Sequence, residues 1–336
     1  MLRVAVIGVG SMGKNHARVY QELPETDLVA VADTNLELAQ NIAALYNTKA
    51  YQDYRTMLEQ MRPDAVSIAV PTAEHEKVAL AALDAGAHIL VEKPIAATVE
   101  EGQRIIQHAN LRDRKLMIGH IVRFNPAIQA LKEKISAGEL GRIFQIVCRR
   151  VGPFPARIRD VGVVVDLAPH DLDIMRFLTE TDPLRVYAET EQRIHTDHED
   201  MLLGLLRFPG DITGALEINW LSPTKVREVL VLGEAGTLHV DDLTQDLYFF
   251  ENAKANGGLW PVLQNLKGSN EGKMTRFPLR RYEPLRAELG AFAKAVIEDL
   301  PVPVSGKDGL AALRLACALV ESGRSHRVIE VSDEID

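Results

Sequence analysis

The sequence predicts two domains of different class, an α/β Rossmann domain over residues 1–120 and an α+β domain over 121–336 built on a largely antiparallel sheet. Three observations carry this. Residues 2–120 alternate short apolar runs with helical patterns, as the βαβ units of a parallel sheet do. A glycine-rich turn, Gly8-Val-Gly10-Ser11-Met12-Gly13, joins the first run to the first helical stretch. From about residue 141 strand-like runs follow one another through turns, and only one strong helical pattern, 166–178, interrupts them.

In the first part, strands are expected over 3–7, 28–32, 65–70, 88–91 and 115–118, with helices near 12–22, 35–46, 74–85 and 98–110. Local punctuation agrees. Gly86 stands where a helix stop belongs, and Thr98 with Glu101 has the form of a capping box. The second part reads as strands over 142–150, 185–193, 201–208, 212–220, 228–232 and 237–240. The 201–208 run is apolar nearly throughout, whereas 212–220 alternates, which suits a sheet with one covered face. Two helices close the chain. The first, 284–298, carries Leu285, Leu289, Phe292 and Val296 on one stripe, and the second spans 309–320. The last helix is free to pack back on the Rossmann domain. The stretch 253–273, rich in Gly, Asn and Lys, reads as a long loop.

Composition narrows the function class. Hydrophobic residues make up 46% and charged ones 25%, the balance of an ordinary globular protein, and no apolar run is long enough to span a bilayer. A net charge of -9 argues against a general nucleic-acid binder, which needs a basic face. The opening MLRVAVIGVG enters a strand pattern at once and has no signal-peptide character. The two cysteines, Cys148 and Cys317, form no CxxC spacing. A reducing cytoplasm is the expected compartment, with neither membrane nor nucleic acid as partner.

Gly8-x-Gly10-x-x-Gly13 follows a strand and opens a helix, and Asp33 ends the next strand, which is the context a dinucleotide site requires. Gly8 permits the tight turn, Gly10 lets a pyrophosphate approach the backbone, and Gly13 lets helix and strand pack closely. The helix N-terminus offers N–H groups to the phosphates. Asp33 favours NAD over NADP, because a 2′-phosphate there meets like charge and Thr34-Asn35 supplies no arginine. The expected cofactor set is Gly8, Gly10, Ser11, Met12, Gly13 and Asp33. Val70, Pro71, Thr72 and His75 join it after the 65–70 strand, as do Glu92 and Lys93 after 88–91.

Glu92-Lys93-Pro94 lies at the carboxyl edge of the sheet, where ligands of doubly wound folds bind. An isolated lysine there reads equally as a surface residue. Asp166-Leu-Ala-Pro-His170 puts a carboxylate and an imidazole on one helical face, as a proton-transfer pair or as a helix-start Asp and a core His. The order GxGxxG, Asp33, Glu92-Lys93-Pro94, Asp166-x-x-x-His170 resembles the glucose–fructose oxidoreductase/inositol 2-dehydrogenase/MocA (GFO/IDH/MocA) family over nearly the whole chain. The ending Ser305-Gly-Lys-Asp-Gly309 to Ala318-Leu-Val-Glu-Ser322 is also similar to that family. The resemblance implies oxidation of a ring hydroxyl of a sugar or cyclitol with NAD. It also implies an open-faced C-terminal sheet whose exposed face makes a homodimer or homotetramer. Carried onto these positions, it implies that Lys93 hydrogen-bonds the reacting oxygen, His170 takes the hydroxyl proton and Asp166 orients the assembly.

Three features bear on the substrate. Gly119-His120-Ile-Val-Arg123-Phe-Asn125-Pro126 offers His120, Arg123 and Asn125 as contacts, although Asn125-Pro126 also reads as a helix N-cap and first residue. Arg149, Arg150, Arg157 and Arg159 gather before the 166–178 helix and read as a second diphosphate site or as a solvated strand edge. Arg157 and Arg159 are the two expected to meet substrate. The segment between Arg150 and Asp166, with Gly10 to His16 and Arg18-Val-Tyr20, is similar to the nucleotide-sugar branch of the family, the UDP-N-acetylglucosamine 3-dehydrogenases. The expected reaction is oxidation of a UDP-N-acetylhexosamine at C3. A dehydrogenase of inositol or free sugars, and a non-catalytic NAD-binding regulator, are the alternatives. His195-Thr-Asp-His198-Glu-Asp200 contains ligand residue types but reads as a solvated loop, so no metal is expected.

Overall fold

A computed structural model describes residues 1–155, 161–194, 197–253 and 271–331. The chain clusters into two units, Met1–Phe124 with Tyr282–Arg314, and Asn125–Arg281 with the chain from Leu315 onward. A single cut after residue 120 does not describe this division. The reason is the apolar stripe of 284–298, because Leu285, Leu289 and Phe292 are buried in the core of the first unit. Ile118 N–H also donates to the Val304 carbonyl at 3.1 Å there.

In the first unit, β1 (Leu2–Ile7), β2 (Thr26–Ala32), β3 (Lys49–Tyr51), β4 (Ala65–Ile68), β5 (His88–Glu92) and β6 (Leu116–Gly119) form a parallel sheet in the order β3-β2-β1-β4-β5-β6. This is the doubly wound arrangement that the strand–helix alternation predicts. Val4, Ala5, Val6 and Ile7 are all buried, as strands covered on both faces must be. The helices are α1 (Gly13–Glu22), α2 (Leu36–Tyr46), α3 (Tyr54–Met61), α4 (His75–Asp84), α5 (Val99–Leu111) and, late in the chain, α8 (Pro284–Ile297). The Thr98–Glu101 capping box is present in both directions. Neither β3 nor α3 was expected: β3 is three residues long and has no fully buried side chain.

The second unit holds α6 (Pro126–Ser136), β7 (Ile143–Pro153), α7 (Val163–Thr179), β8 (Arg185–Glu191), β9 (Met201–Arg207), β10 (Thr213–Asn219) and β11 (Leu221–Gly233). It continues with β12 (Gly236–Asp241), β13 (Asp246–Asn252), β14 (Glu271–Arg276) and β15 (Ile329–Glu330). The cut between units falls inside the last helix, α9 (Gly306–Ser325). The nine strands run β14-β13-β12-β11-β7-β10-β9-β8-β15. Neighbours are antiparallel except β7 and β10, which are parallel. The loop expected over 253–273 ends early, because Glu271 to Lys273 belong to β14, which pairs with β13. Helix α6 packs on β12 and β13, and α7 on β7, β9 and β10, which buries Ile146, Cys148, Leu216, Ile218 and Val240. No helix among the described residues is long and apolar enough to cross a membrane.

Candidate active site

The glycine turn in the first unit does what its three positions require. Gly8 has φ +83°, and a Cβ there would stand 2.6 Å from the Ala69 carbonyl oxygen. At Gly13 the same atom would lie 1.7 Å from the Gly8 oxygen, so only glycine lets α1 sit this close to β1. Among the described residues nothing lies within 4 Å of the Cβ position at Gly10, which is exposed and leaves room for a pyrophosphate. Met12 caps α1 without a side-chain hydrogen bond, and the first turn carries no acidic residue to repel an anion. Asp33 is fixed at the loop: its Oδ2 accepts Val9 N–H at 2.8 Å and its Oδ1 accepts Asn35 N–H at 2.9 Å. These residues fit NAD, with a carboxylate placed for ribose hydroxyls beside an unobstructed helix N-terminus.

Lys93, half-buried, follows the end of β5 in a turn held from several sides. Glu92 is buried and accepts from His16 Nε2 at 2.9 Å, while its other oxygen accepts Lys93 N–H at 3.3 Å. Burial works to raise the Glu92 pKa, but the hydrogen bond and charge of His16, with Lys93 and His75, outweigh it and hold the carboxyl below its ordinary value. His75 is also buried, its ring nitrogens 2.9 Å from the Pro94 carbonyl and 3.0 Å from that of Val70. Burial works to lower its pKa, and with both ring nitrogens turned to backbone carbonyls it serves the turn internally. Of the other residues expected at the cofactor, Pro71 is exposed and Val70 and Thr72 are half-buried.

In the second unit, Asp166 and His170 are half-buried on α7, four residues apart on one face. The next residue, Asp171, is fully buried and clamps Arg150 of β7, with Arg150 Nε at 2.8 and 2.9 Å from its two oxygens and Nη2 at 2.8 Å. Opposite Arg150 across the strands is Arg227. Its Nη1 donates to the carbonyls of Val151 and Val226 at 2.7 and 2.8 Å, and burial with the charge of Arg150 lowers its pKa to about 10. Asp242 accepts from Asn125, and burial pushes its carboxyl up. Sequence reasoning missed Arg227, Asp171 and Asp242, since Arg227 meets Arg150 only through the register of β7 against β11, and Asp171 and Asp242 come from α7 and from just after β12.

The residues expected at the substrate fare differently. Asn125 caps α6, accepting from Ala127 N–H at 2.9 Å and donating to the Asp242 carbonyl at 2.9 Å, so the helix-cap reading describes it. Arg123 is buried against Asp308 at 3.2 Å, and His120 is buried after β6. The four arginines do not act as one cluster. Arg150 is committed to Asp171 and Arg149 to Glu217 at 2.9 Å, while Arg157 and Arg159 lie outside the described residues, as does His195. Asp200 accepts the N–H groups of Arg193 and Ile194, and no group of three metal-ligating side chains occurs among the described residues.

Comparison with known proteins gives the family. Residues 2–120 match the family model described as "Oxidoreductase family, NAD-binding Rossmann fold", and residues 128–239 match the GFO/IDH/MocA C-terminal domain. The chain is 31% identical to UDP-N-acetylglucosamine 3-dehydrogenase of Acidithiobacillus ferrooxidans, over 95% of this chain and 96% of that protein. A crystal structure of that enzyme superposes with a TM-score of 0.86 at 30% identity, covering 96% and 98% of the two chains. Myo-inositol 2-dehydrogenase of Thermotoga maritima is 26% identical over 99% of this chain and its own full length, 100%. With both domains matched and a relative at this identity end to end, this chain is an NAD-binding oxidoreductase of the GFO/IDH/MocA family.

Proposed function

We propose that the chain is an NAD-dependent sugar dehydrogenase whose substrate is a UDP-N-acetylhexosamine, UDP-N-acetylglucosamine, oxidised at C3 to the 3-keto sugar. The observation that carries the substrate is the end-to-end similarity to an enzyme of that name, at 31% identity. When bound, NAD supplies the acceptor for the hydride leaving the carbon. His170 takes the hydroxyl proton as a neutral imidazole, and Asp166, one turn away, fixes its orientation. Lys93 donates a charge-assisted hydrogen bond to the same oxygen, which stabilises the negative charge that grows there as the proton leaves.

A second reading, oxidation of inositol or a free sugar, is favoured by one observation: Arg149 and Arg150 are already paired, which leaves a diphosphate fewer partners. The inositol relative matches over as much of the chain. The exposed face of the nine-stranded sheet is the proposed contact with a second copy, in a homodimer or homotetramer.

NADH absorbance under saturating UDP-N-acetylglucosamine, N-acetylglucosamine and myo-inositol separates the readings. Turnover of the UDP-sugar is expected, with Lys93→Ala and His170→Ala each lowering kcat by about 10²-fold or more. Oxidation of inositol or the free sugar alone overturns the substrate. No NADH from any of them, with NAD still bound, points to the regulator.

A further inference from the structure

Three buried titratable groups behind Lys93 have no part in the chemistry above. His16 is carried on α1, the helix whose N-terminus faces the dinucleotide phosphates, and its ring is wholly buried. Its Nε2 donates to Glu92 Oε1 at 2.9 Å, a contact spanning 76 residues of sequence. The remaining Glu92 oxygen accepts the Lys93 N–H. Gly119 leaves space for that carboxyl, since a Cβ there would come within 3.2 Å of it. The third group is Glu288 of α8, fully buried, both oxygens without a hydrogen-bond partner among the described residues.

We propose that His16 is a positioning residue for Lys93: its ring ties the dinucleotide-binding helix to the Glu92 carboxylate, and that carboxylate fixes the turn from which Lys93 reaches substrate. The proposal rests on the reading of Lys93 given above. Burial and the charge of Glu92 raise Glu288 well above its ordinary value, while the His16 ring and the Lys93 N–H favour the charge on Glu92. The groups facing Glu92 are His16 from α1, His75 from α4, Lys93 beside it and Glu288 from α8. Without the His16 donor, burial dominates at Glu92 and its pKa moves upward. The carboxylate then protonates at higher pH, and the Lys93 turn loses its charged acceptor.

The test compares His16→Leu and His16→Gln by kcat, KM for NAD, NADH affinity from fluorescence, and the pH profile. In H16L, kcat is expected to fall about tenfold or more, as a small misplacement of a catalytic group costs. NADH affinity should stay within about threefold, and the acid limb of the profile should move up by about one pH unit. H16Q, which restores an N–H donor, recovers part of kcat. If H16L does not fold, Glu92→Gln reads the contact from its other end: kcat falls, and the residual loss seen in H16Q does not add to it, since both changes weaken one interaction. Wild-type kcat and pH profile in H16L, lost NADH affinity with kcat unchanged, or additive H16Q and E92Q effects would each overturn the proposal. Lys93→Ala separates the two readings: full activity in K93A removes the catalytic role of Lys93 itself, whereas an inactive K93A beside a normal H16L removes only the strut.

Discussion

A methyl group at Gly13 would stand 1.7 Å from the Gly8 carbonyl oxygen, whereas one at Gly10 would meet nothing within 4 Å among the described residues. The same substitution therefore acts through different physics at the two positions. Gly13→Ala must push α1 off β1, so it is expected to cost about 1–3 kcal/mol of stability and to weaken NADH binding together with it. Gly10→Ala should leave the melting temperature unchanged and weaken NADH binding alone, because its methyl occupies the space a pyrophosphate needs. Thermal melts paired with NADH fluorescence titration check both, and equal melting temperatures for G13A and wild type would contradict the packing argument. At this scale the sequence was legible wherever a rule is local. The glycine turn, Asp33, the Thr98 cap and the Asn125 cap obey backbone chemistry within a few residues. Arg123 and His75 were not legible as structural groups, because Asp308 and the Pro94 carbonyl reach them only through the fold.

Helix α7 carries Asp166 and His170, and its lock on the sheet is the ion pair of Asp171 with Arg150, both almost wholly buried. Burial opposes the charge on Arg150, yet Asp171 outweighs it and the guanidinium pKa is raised. Removing one partner strands the other charge in the interior. Arg150→Met or Asp171→Leu alone should each destabilise the second unit by about 3–5 kcal/mol, while the double substitution should recover most of the loss. Because Asp171 adjoins His170, the single variants should also lower kcat at temperatures where they remain folded. Urea unfolding of the four proteins makes the check; additive losses in the double variant would show that the two residues are not a pair. Elements with a long apolar period, α8 among them, were readable from sequence. Short or polar ones were not: β3 has three residues, and β14 sits where Gly, Asn and Lys signal a loop. What defines β14 is its pairing with β13, a register no local pattern reveals.

Across the nine-stranded sheet the register gathers Leu203 and Leu205 of β9, Leu232 of β11, Phe250 of β13 and Met274 of β14 on the face opposite α6 and α7. Their exposure runs from 39% at Leu232 to 56% at Met274. The 201–208 run is apolar on both faces, but only one is covered: Leu202 and Leu206 meet the unit's own core, and Leu203 and Leu205 are exposed on the face proposed for a second copy. This apolar row is the surface proposed above for association with a second copy. On the same face Arg149 is paired with Glu217 and His239 stands beside Glu228, so these charges are already offset where a second copy would meet them. Sedimentation velocity is expected to give twice or four times the chain mass. Leu203→Glu with Leu205→Glu, both on the exposed face and away from Asp166 and His170, should shift the protein to monomer while leaving its circular dichroism unchanged, since burying two carboxylates in the contact is costly. A wild-type monomer at every concentration, or an oligomer unmoved by the double substitution, would place the contact elsewhere.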